Sequence, residues 1–340
     1  MKKRHSVNTL RRILQSLSAA LLITMGILIP ANVDGQTVSA AAFSGLNVQT
    51  EQTQDDPYIS KFFRTGNNVN LTVFTPNGSI EVTENAALGG VQVDLFVKRE
   101  FSFWRGAQSL DNYRIIIQQK DNEVIATVEN KNTGSRVRTG DENQFSFQIQ
   151  VPESGKMNLR TLHGPIEVLG VNGNHYLQNH VGNITVQGSE GELKVASATG
   201  DLQFEQCKGS IFAKSVSGNI SVINSEGELR LRSETGDLIA RDIRGTLIAA
   251  TVAGDIVTTL HEVSHGVSLD TANGDIDLTL PSNIGYTISA SGMNFDFSSI
   301  REFASQDKSE MMSRFMLVRD GMVPVKLTSI SGKVKVTESE

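Results

Sequence analysis

Residues 181–240 read VGNITVQGSEGELKVASATGDLQFEQCKGSIFAKSVSGNISVINSEGELRLRSETGDLIA. Within this stretch SEGELKVASATGDL (189–202) returns 36 residues later as SEGELRLRSETGDL (225–238). The finer rhythm is a glycine every nine residues, at Gly164, Gly173, Gly182, Gly191, Gly200, Gly209, Gly218, Gly227, Gly236, Gly245 and Gly254. After each glycine comes a polar residue and then an apolar/polar alternation, the period-2 signature of a strand that follows a tight turn. One alternation puts Ile166/Val168, Ile184/Val186, Leu202/Phe204, Ile220/Val222 and Leu238/Ala240 inward. The other puts Leu193/Val195, Ile211/Ala213, Leu229/Leu231 and Leu247/Ala249 inward. A unit this short cannot bury its own apolar face and must stack on its neighbours. The expectation is therefore an all-β, parallel β-solenoid (β-helix) with 18-residue coils and two main strands per coil. The preference of parallel crossovers makes right-handed winding the expected sense.

The rhythm slips outside that core. Asn273-Gly274-Asp275-Ile276 and SGKVKV (331–336) carry it toward the carboxyl end, and PNGSIEV (76–82) announces it upstream. Residues 88–151 lack the nine-step and read as longer strands, so an antiparallel β excursion near the amino-terminal end is expected to cap the stack, because bare strand edges invite aggregation. Residues 297–323 read as an irregular, partly helical insertion.

The amino terminus is an address. Residues 1–12 carry five Lys/Arg and no acid, and an apolar run spans 13–29. This pattern predicts a signal peptide over 1–35, cleaved between 31 and 42, and export through the Sec pathway to the periplasm, cell surface or medium. No later run is long enough to span a membrane. The expected organisation continues with a polar leader (36–68), a first coil with its cap (69–155), solenoid repeats (156–296), and an insertion with a closing coil (297–340).

Composition narrows the function. The formal charge of −6 becomes about −10 without residues 1–35, where 26 basic residues face 36 acidic ones. That balance disfavours nucleic acid as a partner, since backbone recognition needs a dense cation cluster. One cysteine, Cys207, excludes an internal disulfide framework. It shares a slot with Val171, Ser189, Ser225 and Ile243, which reads as a buried, inert thiol. His175 fills a slot that later coils give to Leu193 and Ile211, so it reads as a first-coil boundary residue.

Two patterns could carry metal chemistry. His261-Glu262-Val263-Ser264-His265 spells H-E-x-x-H, which chelates zinc only when a helix brings His261 and His265 to one side. Here it falls between two strands and reads as a three-residue loop insertion bearing surface histidines. Asp201, Asp237, Asp255 and Asp275, interleaved with Asn183 and Asn219, form a turn ladder of the kind that can hold calcium. Asn and Asp also suit such turns by bonding local backbone, and that reading requires no metal. No catalytic residue and no cofactor is expected. Between 164 and 290 the aromatics are Tyr176, Phe204, Phe212 and Tyr286, and no carboxylate pair converges as a polysaccharide-cleaving β-helix enzyme would need.

The order of these segments, from the signal peptide through NGSIEV, Val151-Pro152, KMNLRTLHGPIEV and the tandem SxTGDL or SGNISV units to Leu280-Pro281 and SGKVKV, resembles the bacterial putative-adhesin family of single-stranded β-helix proteins of unknown function. The resemblance covers residues 43–340. It implies an exported envelope or surface protein, and it carries no catalytic residues. The expected function is a non-enzymatic, adhesin-like binding or structural module of the cell envelope or surface with a protein or glycan partner. A polysaccharide lyase or hydrolase and a self-assembling structural polymer are the competing expectations.

Overall fold

The computed structural model describes residues 56–99, 101–102, 106–107, 109–131, 143–300, 303–304 and 312–339. The predicted signal peptide and most of the leader lie outside the described residues. The described chain is almost wholly β, with one short 3₁₀ turn at Ala86–Leu88. Among the described residues no helix is long and apolar enough to cross a membrane.

The nine-residue rhythm becomes two parallel ladders. In the wide ladder Glu190–Thr199, Lys208–Ser217 and Glu226–Thr235 lie side by side, with Leu193 beside Ile211, Ile211 beside Leu229 and Leu229 beside Leu247. In the narrow ladder Ile184–Gln187, Leu202–Glu205 and Ile220–Ile223 stack with Ile184 beside Leu202 and Leu202 beside Ile220. The inward residues of both ladders, from Val69 to Val336, form one continuous buried core. Each fully buried aliphatic side chain contributes about 1.5–3 kcal/mol. Alternation of apolar and polar residues therefore fixes the register, since a one-residue slip would turn every inward side chain out.

Two corners join the ladders. At one, the repeat glycine is followed by Pro165 at Gly164 and by Asn or Asp at each coil from Gly182 to Gly274. At the other, Gly170, Gly188, Gln206, Asn224 and Asp242 all take the left-handed conformation (φ 74, 66, 55, 50 and 58°). Short polar side chains such as Asn and Asp tolerate that region better than most. Just inside the first corner runs a column of buried small polar residues that includes Thr161, Ser233, Thr251, Thr271 and Ser329. Their hydroxyls donate to the carbonyls of Gly78, Gly218, Gly236, Gly254 and Gly274 at 2.8–3.2 Å. In the SxTGDL pattern Ser233 thus supplies a donor to a turn carbonyl, whereas Ser197, its equivalent two coils earlier, is buried with its hydroxyl unpartnered.

The H-E-x-x-H segment corrects the expectation of a loop. Residues 261–265 belong to one long strand, Ile256–Asn273. The inserted residues are taken up as a widened bend: Gly245 pairs with Val263 and Leu247 with Val267, with register shifts on either side. Backbone pairing resumes on both sides of the bend, so a strand with a bulge satisfies more amides than an open loop would.

The ends also differ from expectation. Residues 88–151 are only partly antiparallel. Val91–Lys98 runs antiparallel to Gln144–Val151, and Tyr113–Lys120 antiparallel to Glu123–Asn130. Glu123–Asn130 and Gln144–Val151 themselves pair in parallel with Asn68–Asn77 and Ile80–Glu84. Those latter strands pair on their other side with Ser154–His163 and Ile166–Leu169. The first coil in sequence is therefore enclosed between the second and third. The carboxyl end repeats this arrangement. Val323–Ser329 sits between Ile256–Asn273 and Tyr286–Ser291, and Lys333–Glu338 between Ile276–Leu280 and Asn294–Asp296. The predicted closing coil is thus internal to the stack, and the antiparallel strand Ser313–Val318 covers Tyr286–Ser291 beyond it. The expected partial helix in 297–323 is not found in its described part, which holds Phe303–Ala304 and Ser313–Val318 as strands. The polar leader likewise contains a strand, Ile59–Phe63, paired with Val91–Lys98.

His175 stands in register with Leu193 and is 2% exposed. Its Nε2 lies 2.9 Å from the Val171 carbonyl and its Nδ1 has no hydrogen-bond partner. Burial pushes its pKa below the ordinary value, outweighing two backbone hydrogen bonds that act the other way. The folded state then binds fewer protons than the unfolded chain once the pH drops below the free imidazole value of about 6.5. The stability associated with this group is full above that pH and falls as the pH descends through it. His175→Leu is expected to flatten this part of the acid-unfolding profile, measured as melting temperature between pH 7.5 and 5; an unchanged slope would contradict the assignment.

Candidate functional site

Side chains that alternate with the inward ladder of the wide sheet point outward and stack into straight columns. One column runs Asn158, Tyr176, Lys194, Phe212, Arg230, Ile248 across six successive strands. The next runs Arg160, Gln178, Ala196, Lys214, Arg232, Ala250. Five of these twelve positions are Lys or Arg and none is acidic, in a chain whose acids outnumber its bases by 37 to 31.

The cations fall into two groups. Lys194 and Arg230 lie 5.9 and 5.7 Å from the Phe212 ring centroid, one on each neighbouring strand. Each also pairs with a glutamate two residues back in its own strand, Lys194 with Glu192 at 2.8 Å and Arg230 with Glu228 at 2.6 Å. Exposed pairs of this kind contribute about 0–1 kcal/mol, so they orient the side chains more than they neutralise them. Arg160, Lys214 and Arg232 are exposed and make no ion pair among the described residues. Beside the columns, Ala196 and Ala198 leave a trough of about 320 Å³ edged by Arg160, Gln178, His180, Lys214 and Val216. Tyr176 (42% exposed) stands one strand from the Ala196 and Ala198 strand, and its hydroxyl reaches Gln178 at 3.3 Å.

This face escaped the sequence reading, which followed the inward residues and treated those between them as solvated. The signal was present in the alternate positions of GELKVAS, GSIFAKS and GELRLRS, where Lys or Arg recurs at the fourth or sixth residue and the acids are confined to the second.

The other candidates fall elsewhere. The Asn/Asp ladder is a hydrogen-bonded staircase in which the backbone N–H of Asp201, Asn219, Asp237, Asp255 and Asp275 donates to Oδ1 of Asn183, Asp201, Asn219, Asp237 and Asp255 at 2.8–3.0 Å. Lys333 N–H continues it onto Asp275. One oxygen of each ladder residue is thus committed to stapling the next coil. His261 Nε2 faces Asp242 Oδ1 at 3.0 Å and His265 Nδ1 faces Thr246 Oγ1 at 3.4 Å, so the two rings are drawn to different partners. Among the described residues no three His, Cys, Asp or Glu side chains are grouped as metal ligands would be. Cys207 is fully buried, its sulfur near the Val186 and Glu205 carbonyls, and burial pushes its thiol pKa up, away from the reactive thiolate.

Fold and face together define a capped parallel β-solenoid that presents a basic, aromatic-studded sheet surface. The chain belongs to the Toastrack DUF4097 family, whose model matches residues 41–337. No curated protein matches it. Among solved structures it is similar to a putative cell adhesion protein from Clostridium sporogenes, with 10% identity, TM-score 0.25, and coverage of 83% of this chain and 98% of that one. It is also similar to a putative adhesin from Bacteroides fragilis, with 13% identity, TM-score 0.41, and coverage of 82% and 96%.

Proposed function

We propose that the chain is an exported, non-enzymatic, adhesin-like module that binds a cell-envelope or extracellular macromolecule across the outward face of its wide ladder. Its coils are read as 18 residues long and right-handed, and its export as directed by residues 1–35. The observation that carries the proposal is the acid-free pair of columns holding Arg160, Lys194, Lys214, Arg230 and Arg232. A fold that needs only its inward ladders for stability has no structural use for exposed like charges set close together, since they repel. Binding gives them one. A rigid sheet also presents many weak contacts from a backbone already fixed, so association orders side chains only.

The test is retention of the labelled mature chain on whole-envelope preparations, beside turnover assays on the same polysaccharide fractions. Saturable retention that drops on Arg160→Glu with Lys214→Glu is the expected result. Turnover abolished by replacing a single acid would instead establish an enzyme.

A further inference from the structure

We infer that the basic face binds a carboxylate-bearing polysaccharide laid along the stack, across the strands. This inference rests on the proposed binding role and specifies its ligand.

Charge density selects the class. The six strands from Ser154–His163 to Leu238–Ala253 span about 24 Å at about 4.8 Å per strand. Five cations over that length give about one per 5 Å, roughly the length of one sugar ring. Duplex DNA presents a charge every ~1.7 Å and a single strand every ~3.4 Å, so a nucleic acid would leave most of its phosphates unmatched against a chain that is acidic elsewhere. An acidic peptide fits poorly for a different reason. The face of a sheet exposes side chains and no backbone donors or acceptors, and the peptide's own amides would be covered without partners. A glycan carries hydroxyls in place of backbone amides, and these point outward from the ring where polar side chains and water can pair them.

The remaining features suit sugars. Tyr176 offers an exposed ring beside the trough, and Phe212 a half-buried one on its far side, held between Lys194 and Arg230. Gln178 and His180 supply polar groups for hydroxyls. The floor is Ala196 and Ala198, the two smallest outward side chains on that strand, so the chain can sink between Arg160 on one side and Lys214 on the other. Guanidinium groups at Arg160 and Arg232 match a carboxylate in bidentate fashion.

The experiment measures binding of the mature chain to polygalacturonate and alginate, with one carboxylate per sugar, to hyaluronan, with one per two sugars, and to neutral dextran, poly-glutamate and polyphosphate. Polygalacturonate or alginate is expected to bind most tightly, hyaluronan more weakly, and dextran not at all, with affinity falling as salt rises. Lys214→Glu with Arg232→Glu is expected to weaken binding about tenfold or more. Ala196→Trp, which fills the trough without altering charge, is expected to do likewise, with an unchanged melting temperature showing that each variant folds. If no uronate polymer binds, or if dextran, poly-glutamate or polyphosphate binds as well, the inference fails. Envelope retention that still depends on Arg160 and Lys214 would then leave the broader binding role standing; retention indifferent to them would remove both.

Discussion

Gly218→Ala is expected to destabilise the protein by about 3 kcal/mol or more, and Gly89→Ala by about 1 kcal/mol. Both glycines have positive φ, 148° and 65°. Gly89 sits in the left-handed helical well that other residues occasionally visit and Gly218 outside it, and the surroundings separate them further. A Cβ on Gly89 would meet nothing within 4 Å, whereas one on Gly218 would lie 2.2 Å from the Gly200 carbonyl oxygen. That oxygen cannot swing aside as a side chain could, because it belongs to the coil stacked directly beneath. Gly200 N–H donates to the Ser217 carbonyl and Gly218 N–H to the Thr235 carbonyl, both at 2.9 Å, so the contact is locked by the hydrogen bonds that space the coils. Relief requires the coils to part, which breaks the ladder on both sides of the substitution. Paired thermal and urea unfolding midpoints measure the difference. Equal losses for the two variants would mean that turn conformation, and not the approach of stacked backbones, is what the repeat glycine serves.

That distinction marks where the sequence stops being informative. The inward residues of both ladders were legible because burial imposes a strict period of two, and every one named from the sequence, from Ile166 to Ala249, is buried. The glycine rhythm was legible as punctuation. Its cause was not, because the atom that excludes a side chain at Gly218 comes from 18 residues away. The left-handed corner at Gln206, Asn224 and Asp242 left no trace in the rhythm, since Gly, Gln, Asn and Asp all serve there and no single residue type recurs. The buried hydroxyls escaped for the same reason as the glycine contact: Ser233 serves the Gly218 carbonyl one coil back. The basic face was spelled out in the alternate positions of the wide strands, yet it becomes a surface only once register sets Lys194, Phe212 and Arg230 side by side.

Least legible was the order of the coils. PNGSIEV and SGKVKV look like any internal unit, and nothing local says that each is enclosed between two others. The consequence is an expected large effect at a place where repeat proteins usually tolerate change. Residues near a chain end commonly fray and can be removed at little cost. Here, ending the chain after Met322 is expected to unfold everything from about residue 256 onward. Asn294–Asp296 would lose the strand it pairs with, Tyr286–Ser291 its parallel neighbour, Ile276–Leu280 one whole side, and Ile256–Asn273 the partner of its Val267–Thr271 stretch. The truncation also deletes Val325, Leu327, Val334 and Val336, each at most 1% exposed. A milder version isolates the principle. Leu327→Ala is expected to cost about 2–5 kcal/mol, within about 1 kcal/mol of Leu229→Ala in the middle of the stack, because both leave a cavity between two flanking strands. Native-state hydrogen exchange gives an independent readout: amides in Val323–Ser329 are expected to be protected as strongly as those in Glu226–Thr235. Fast exchange confined to residues 323–338, with the rest of the stack intact, would show that the last coil lies on the stack as an ordinary terminal repeat and does not lock it.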